Sequence, residues 1–207
     1  MRDQPEDHGI RATIDGQDFS LFVDYDRPRL TKLTDDGKVE YFEKRFELVV
    51  LGPLGVMLDT NDSPYPTLLL WGNALMCAME ALGHLLTSPV ATNSQAFQAF
   101  VSSFMDAAWR DRPQSPPPGV DYYWRWLWDS FRNGLAHGAY VKNGGFEKLG
   151  DRLFVEARGM LKVDAWALDI DFRNAVRKMH QAISQPDNYF RKTFVDRFDW
   201  TYIKGES

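Results

Sequence analysis

Residues 132–138, with the sequence RNGLAHG, hold side chains that could act on a phosphodiester. Arg132 is a permanent cation whose guanidinium can bind two phosphate oxygens at once. His137 follows five positions later, and a histidine exchanges protons near neutral pH. No metal is needed when the nucleophile is the 2′-hydroxyl of RNA, because a base removes that proton while positive charge stabilises the phosphorus centre. The segment therefore suits metal-free cleavage of RNA.

A purely structural interpretation of the same segment stays open. A bare Arg-x4-His is expected by chance about 0.3 times in a chain of this length and composition. Asn133 followed by Gly134 is also a good helix terminator, because this pair tolerates a left-handed backbone. On that interpretation Arg132 only complements the negative end of a helix dipole.

Geometry places a further condition on catalysis. Along an unbroken helix, Arg132 and His137 are separated by about 140° around the axis and about 7.5 Å of rise. One phosphate could not easily meet both groups. Convergence requires a helix break at Gly134 or Gly138, or a second copy of the chain across a twofold axis.

A second helix, predicted from about residue 66 to 87, carries a narrow polar stripe on an otherwise apolar surface. Asn73, Glu80 and His84 fall within about 40° of one another at 100° per residue. We expect Glu80 to face the candidate cleft and to hold Arg132 or His137, with a solvated glutamate as the equally weighted alternative. We expect His84 to hydrogen-bond to Glu80, four residues before it, because two ligands do not make a metal site.

The remaining chemically active side chains suggest no further site. His8 lies in a charged N-terminal tail, and His180 lies among basic residues on a late helix, where a solvated face is expected. Cys77 sits in the apolar helix, where thiols are usually packing groups. We therefore expect no metal and no cofactor.

The elements that must position these residues follow from hydrophobic spacing. Strands on either side of Asp15-Gly16 predict a hairpin, and a helix is predicted from 38 to 58, broken by Gly52-Pro53. A third helix should begin near residues 92–94, and a fourth, capped by Asp121, should contain the candidate segment. A second hairpin is predicted around Arg158-Gly159, followed by two further helices. Residues 110–119, rich in proline, are expected to form an exposed connection.

Three tryptophans, Trp124, Trp126 and Trp128, precede the candidate segment on the fourth helix. They are expected to be core or dimer-contact residues, and an exposed platform that stacks on bases is the minority interpretation. The helix at 67–86 is long enough to cross a bilayer, but its polar stripe places it in a soluble bundle.

Composition is that of a globular protein. Of the 207 residues, 44% are hydrophobic and 26% are charged, and the formal net charge is −5. An acidic chain is not drawn to nucleic acid as a whole, so a polyanion would have to be bound locally. One cysteine and no apolar export segment at the start lead us to expect a cytoplasmic protein without a membrane partner.

The segment SFRNGLAHGAYV, together with the helix WGNALMCAMEALGHLL, resembles the HEPN (higher eukaryotes and prokaryotes nucleotide-binding) superfamily. The resemblance rests on Arg132, the polar Asn133 and His137, and covers about residues 38–140. It implies a mainly α fold, a bundle of four to five helices, here with two attached β-hairpins. We expect one compact domain, divided into an N-terminal hairpin extension at 1–36, the HEPN-like core at 37–140, a hairpin at 141–168 and C-terminal helices at 169–207.

The resemblance also implies an activity. HEPN ribonucleases are metal-independent and act as homodimers whose paired motifs form one cleft, commonly in defence or toxin–antitoxin systems. By this similarity Arg132 would stabilise phosphate, His137 would act as acid or base, and Asn133 would orient the reacting groups. RNA or a nucleotide, a second copy and an antitoxin or regulator are the implied partners. The alternative is a module on the same bundle that binds a nucleotide or a protein without cutting, or an assembly protein with the tryptophans at its interface.

Overall fold

A computed structural model describes residues 10–21, 27–59, 66–138, 141–150 and 153–204. Over these ranges the chain is mainly helical with two small sheets, as the sequence predicts. The α-helices are α1 Arg27–Leu30, α2 Asp35–Phe46, α3 Gly52–Asp59, α4 Pro66–His84, α5 Asn93–Phe104, α6 Tyr123–Trp126, α7 Asn133–Gly138, α8 Ala165–Ser184 and α9 Tyr189–Phe198. π-helical turns occur at Glu47–Leu51, Leu127–Arg132 and Asp199–Lys204, and a 3-10 helix at Ala107–Arg110. The strands are β1 Arg11–Ile14, β2 Gln17–Ser20, β3 Gly144–Glu147, β4 Phe154–Ala157 and β5 Met160–Asp164.

The N-terminal hairpin predicted at Asp15-Gly16 is confirmed. Strands β1 and β2 pair antiparallel, and Asp15 and Gly16 adopt φ angles of 49° and 72°. Positive φ at both central residues is what a two-residue hairpin turn requires. The Asp15 carboxylate also accepts hydrogen bonds from the amide and hydroxyl of Thr34, the N-cap of α2. The turn is thereby tied to the start of the first long helix.

The prediction that Gly52-Pro53 ends the second element is wrong, because helix continues from α2 through a π-helical turn into α3. The amide of Gly52 donates to the carbonyl of Glu47, five residues back. This wider turn relieves the clash that the ring of Pro53 would make with the carbonyl four residues before it. Val49, within this turn, is 38% exposed.

Helices α4 and α5 form a closely packed pair at the centre of the fold. Thr92 caps α5 through a reciprocal box with Gln95, so the predicted start of that helix is confirmed. The two backbones come so close at Gly83 that a Cβ there would lie 1.8 Å from the carbonyl oxygen of Ala96. The glycine lets α4 and α5 pack without a side chain between them.

The aromatic segment before the candidate site runs through the protein interior. Trp124, Trp126 and Trp128 are all buried within the chain, so the interpretation as core residues is confirmed. Because a base-stacking platform or an assembly interface needs exposed rings, these tryptophans form neither. Tyr122, without a side-chain cap, occupies the N-cap position, so the prediction of Asp121 as cap is wrong. The buried residues of this segment extend beyond one face of a regular helix, as expected for a helix surrounded by core.

The second hairpin is confirmed, but the prediction missed one strand of its sheet. β4 and β5 pair antiparallel around Arg158 and Gly159, both at positive φ, and β3 adds an unpredicted third strand parallel to β5. Phe146 on β3 packs against Trp71 of α4 and against Phe131, with ring centroids 5.4 and 4.7 Å apart. The sheet thus braces α4 and the turn that carries Arg132.

Glu156 on β4 holds the proline-rich connection, residues 110–119, in place. Its two carboxylate oxygens accept the amides of Gln114 and Ser115 at 2.7 Å each, and one also accepts the hydroxyl of Tyr123. The connection is mostly exposed, as predicted, and these bonds hold it against the start of α6.

Both predicted C-terminal helices are present as α8 and α9. Phe172, Val176, Met179 and Ile183 form the buried face of α8. The buried apolar side chains of the hairpin, the central helices and these last helices belong to one cluster. Within the described ranges, each helix is too short or too polar to span a bilayer. The domain boundaries at 36, 140 and 168 stay predictions.

Candidate functional site

A carboxylate from α4 holds the arginine of the candidate segment. Nε of Arg132 lies 2.6 Å from Oε2 of Glu80, and the two side chains are only 15% and 13% exposed. The prediction that Glu80 contacts Arg132 is confirmed, and the alternative of a solvated glutamate is wrong. Because the pair is largely withdrawn from water, its geometry is fixed more firmly than that of a surface ion pair.

The indole of Trp128 supports the same guanidinium from its face. The guanidinium carbon of Arg132 lies 5.0 Å from the ring centroid of Trp128, one helical turn earlier. Trp128 in turn packs against Phe97 of α5, with centroids 5.4 Å apart. A cation over an indole gains about 1 kcal/mol, so Arg132 is held both at its edge and at its face.

The orientation determines which atoms of Arg132 are left for a ligand. Among the described residues, hydrogen bonds from Arg132 go to Glu80 alone and use the Nε group. A guanidinium carries five N–H donors, and four of them are on the two Nη nitrogens. These nitrogens form the fork that matches two oxygens of a phosphate. The negative charge of Glu80 neutralises the positive charge of Arg132 and therefore lowers the affinity of the site for a phosphate.

Cys77, one turn before Glu80 on α4, also belongs to this site. The prediction that its thiol is a packing group is wrong, because the residue is exposed. Partial burial raises the pKa of the Cys77 thiol; the charge of Arg132 lowers it, and that of Glu80 raises it further. The thiol therefore responds to the two charged groups of the pair. Its spacing of three residues from Glu80 could have indicated a shared face.

The segment after Arg132 is helical without interruption. Asn133 has right-handed angles of −71° and −36°, and α7 continues through Gly134 to Gly138. A break at Gly134, one of the conditions named for convergence, is therefore absent, and the helix-terminator interpretation is wrong. Gly138 comes after His137, so it leaves the geometry between residues 132 and 137 helical. The backbone positions of Arg132 and His137 are thus about 140° apart around the helix.

The structure describes the side chains of this segment only in part. Asn133 is half-buried at the start of α7, with no hydrogen bond to the described side chains of Glu80 or Arg132. The backbone of His137 is described, whereas its side chain lies outside the described part of the structure. Convergence of Arg132 and His137 on one phosphate requires either a helix break between them or a second copy of the chain. Because the backbone has no break there, only the second copy would meet this condition.

The other two residues of the polar stripe have different partners. Nε2 of His84 lies 3.2 Å from Oδ1 of Asn93, so the predicted bond between Glu80 and His84 is wrong. The start of α5 brings Asn93 to the end of α4, and that contact was not evident from the sequence. Asn73 accepts a long hydrogen bond of 3.9 Å from the thiol of Cys77. Neither residue contacts Arg132 in the described contacts.

His180 is buried, contrary to the prediction of a solvated face. Its ring packs edge-on to Phe42, with centroids 5.8 Å apart, and Nδ1 lies 3.6 Å from a carboxylate oxygen of Glu43. Burial lowers the pKa of His180, and the charges of Glu43 and Glu47 oppose that shift. The residue is part of the core between α2 and α8. His8 lies outside the described residues.

Comparison with known proteins adds no relative. No protein-family profile, no curated protein and no solved structure matches the chain. In the described ranges, no group of three or more His, Cys, Asp or Glu side chains is placed to hold a metal ion. The function has to be inferred from the residues around Arg132.

Proposed function

We propose that the chain is a metal-independent endoribonuclease of the HEPN type, which cleaves single-stranded RNA by attack of the 2′-hydroxyl and leaves a cyclic phosphate. The observation that carries the proposal is the anchored guanidinium of Arg132. Glu80 holds its Nε edge at 2.6 Å and Trp128 supports its face at 5.0 Å. A charged group fixed before the substrate arrives needs no reorganisation during the reaction, which is how enzymes stabilise developing charge.

Each residue of the segment has a role in this proposal. Arg132 offers its Nη groups to the scissile phosphate and stabilises the crowded phosphorus centre. His137 exchanges the proton of the attacking hydroxyl or of the leaving oxygen. Asn133 orients the reacting groups, and Glu80 acts through Arg132 as a positioning residue. Asn73 and His84 lie on the same helix as Glu80, without a direct part in the reaction.

A homodimer completes the site. Because α7 is continuous, the Arg132 and His137 positions of one chain diverge by about 140°. A twofold axis brings the same segment of a second chain opposite the first, so that Arg132 of one copy and His137 of the other reach one phosphate. A cytoplasmic location, a defence or toxin–antitoxin setting and a protein antitoxin or regulator belong to the proposal through the HEPN resemblance.

A second candidate function is a HEPN-like module that binds a nucleotide or a protein without cutting RNA. The specific observation that favours it is the neutral charge of the Glu80–Arg132 pair, in a chain whose net charge is −5. A catalytic site for RNA gains from uncompensated positive charge. Binding of nucleotides by calorimetry, without cleavage of RNA, would favour this candidate.

The proposal is tested by incubating an unstructured RNA with the protein in EDTA. We expect wild-type protein to produce fragments that end in a 2′,3′-cyclic phosphate. Arg132→Ala and His137→Ala should each lower the cleavage rate by about a hundredfold or more. Fragment ends are identified by mass spectrometry, which separates this chemistry from that of a contaminating metal-dependent nuclease.

Arg125→Ala is the matched control for Arg132→Ala. Arg125 lies on the same continuous helix and pairs with Asp129 at 2.9 Å, but its side chain is 40% exposed and it has no part in the proposed site. This variant removes one positive charge from the same helix and should cut RNA at the wild-type rate. Equal cleavage by all four proteins would contradict the catalytic assignment.

A further inference from the structure

A cavity of about 740 Å³ opens beside the C-terminal end of α4. Its walls include parts of α2, the π-helical turn Glu47–Leu51, the end of α4, the turn that leads into α5 and the π-helical turn Asp199–Lys204. Neither Arg132 nor Trp128 lines it, so it is separate from the candidate ribonuclease site. Binding sites for small molecules usually have volumes of about 300–1,000 Å³, and this cavity lies within that range.

The floor of the cavity is apolar. Four side chains of the hydrophobic core line it, namely Phe42, Phe46, Leu82 and Leu85. A ligand that lies against them displaces water from apolar surface, and the core does not have to open for it. Apolar contact is therefore the main source of the affinity expected of this site.

Aliphatic side chains at the rim of the cavity are exposed to water. Val49 lines the cavity and is 38% exposed. Val90, which is 88% exposed, lies in the chain between two lining residues, Pro89 and Ala91. Exposed apolar side chains that adjoin an apolar cavity are typical of ligand-binding grooves, whereas singly scattered ones are not. A hydrophobic body on the floor would also shield Val49 from water.

One polar side chain of the wall has hydrogen-bond donors left for a ligand. Oδ1 of Asn93 lies 3.2 Å from Nε2 of His84, and both residues line the cavity. Because a carbonyl oxygen can only accept, this contact uses the N–H of the ring and leaves the two N–H groups of the Asn93 amide. Among the described residues, these two groups have no hydrogen-bond partner. They suit a carbonyl oxygen of a ligand.

Arg45 and Arg197 also line the cavity, but we assign neither of them to the ligand. Arg45 donates to the carbonyl of Leu21 at 2.6 Å, and Arg197 donates to the carbonyl of His84 at 2.9 Å. Both arginines have further interactions besides these. The apolar floor and the Asn93 amide are therefore the features that determine which ligand fits.

Two irregular turns shape this cavity. Val49 belongs to one π-helical turn and Trp200 to another, so both walls depart from a regular α-helix. Such turns place side chains where a regular helix would not, and they occur often at functional sites. Their meeting at one cavity is an observation independent of the apolar floor, and it points to the same place.

We propose that this cavity binds a lipophilic small molecule whose body carries one neutral hydrogen-bond acceptor, such as a ketone oxygen. The body lies on Phe42, Phe46 and Leu85, and the acceptor takes a hydrogen bond from the amide of Asn93. Apolar area supplies the affinity, and the single hydrogen bond fixes the orientation of the ligand.

The first test uses phenylnaphthylamine, an uncharged probe whose fluorescence increases in apolar surroundings. Titrated into the full-length chain, the probe should bind saturably with one-to-one stoichiometry. Acetylnaphthalene, a smaller molecule with one ketone oxygen, should displace the probe when it is added in excess. Absence of saturable binding, or of displacement, would overturn the proposal.

Substitutions at the rim locate the site. Val49→Trp fills part of the cavity and should weaken binding of the probe by about tenfold or more. Ile170→Trp is the matched control, because Ile170 is also β-branched, is 59% exposed on α8 and does not line the cavity. Equal affinities for these two variants would overturn the proposal. Should near-UV circular dichroism show that Val49→Trp is misfolded, Ala91→Phe takes its place and should give the same loss, and an unchanged affinity there would also overturn the proposal.

A second pair of variants tests the hydrogen bond from Asn93. Acetylnaphthalene and ethylnaphthalene have nearly the same shape, but only the first carries an oxygen, and the affinity of each is measured by displacement of the probe. Asn93→Leu should lower the ratio of the ketone affinity to the hydrocarbon affinity by several-fold. Gln98→Leu removes a side-chain amide from the exposed surface of the same helix, outside the cavity, and should leave the ratio unchanged. An unchanged ratio in Asn93→Leu, or an equal change in both variants, would contradict binding of the acceptor at Asn93.

Discussion

Glu80 and Arg132 are 52 positions apart in the chain, yet Oε2 of one lies 2.6 Å from Nε of the other. The contact joins the C-terminal part of α4 to the end of the π-helical turn Leu127–Arg132. It fixes the direction of the guanidinium before any ligand is present. The proposed activity depends on this arrangement, because a mobile arginine would lose side-chain entropy on binding each substrate.

The energy of this contact can be measured by a double-mutant cycle with Glu80→Gln and Arg132→Gln. Because both side chains are largely buried, we expect a coupling free energy of about 2 kcal/mol in urea unfolding. The exposed pair of Glu40 and Lys44, 2.9 Å apart, is the control and should give about 0.5 kcal/mol or less. Equal couplings for the two pairs would show that burial does not strengthen the contact at Glu80.

The single cysteine reports on the same pair without a label. Removing the charge of Arg132 raises the pKa of Cys77, so Arg132→Gln should slow alkylation by iodoacetamide near pH 8, because the thiolate reacts. Glu80→Gln removes the charge that raises the pKa and should accelerate alkylation. Rate changes of the same sign in the two variants would contradict the placement of Cys77 between opposite charges.

Gly83 is predicted to be intolerant of a side chain. Alanine normally stabilises a helix relative to glycine, but here its Cβ would lie 1.8 Å from the backbone oxygen of Ala96. We expect Gly83→Ala to lower the free energy of unfolding by about 2 kcal/mol or more, as overpacking does. Gly55→Ala is the control. Its Cβ would lie 3.2 Å from Nη2 of Arg173, which donates to the carbonyl of Leu51, so we expect a change of about 1 kcal/mol or less. A stabilised Gly83→Ala protein would contradict the close approach of α4 and α5.

Burial of His180 should make the fold sensitive to acid. The pKa of His180 is lowered in the folded state, so the unfolded chain binds the proton more readily. Above the ordinary histidine pKa of about 6.5, His180 has no effect on the free energy of unfolding. As the pH drops from that value toward the lowered pKa of the folded state, the free energy of unfolding falls. His180→Gln should remove this part of the pH dependence. The measurement is urea unfolding of both proteins from about pH 7.5 to about pH 5, in steps of about half a pH unit. Identical pH profiles for the two proteins would contradict a buried neutral histidine.

Local signals in the sequence correctly predicted several elements. Asp15-Gly16 specifies a hairpin turn, the capping side chains of residues 92–94 specify the start of α5, and the spacing of Phe172 to Ile183 specifies α8. Each of these depends on residues within a few positions of one another. The contact between Glu80 and Arg132 is not local. It was predictable because a polar stripe on an apolar helix needs a polar partner.

The errors have a common physical origin in tertiary contacts. β3 has the sequence GGFE, which lacks strand alternation and is held by pairing with β5. Helix passes Gly52-Pro53 and Asn133-Gly134 because packing outweighs local breaking preference. Asn93 draws His84 away from Glu80, and α2 buries His180. None of these partners could be identified from spacing along the chain.

Mixing two inactive variants tests the central claim most directly. Arg132→Ala and His137→Ala proteins are unfolded together, refolded and assayed on RNA in EDTA. If one site is built from Arg132 of one copy and His137 of the other, half of the dimers in an even mixture carry one intact site. The mixture should then recover about one quarter of the wild-type rate, while each variant alone stays inactive. A mixture as inactive as its components, although dimers form, would contradict a ribonuclease site shared between two chains.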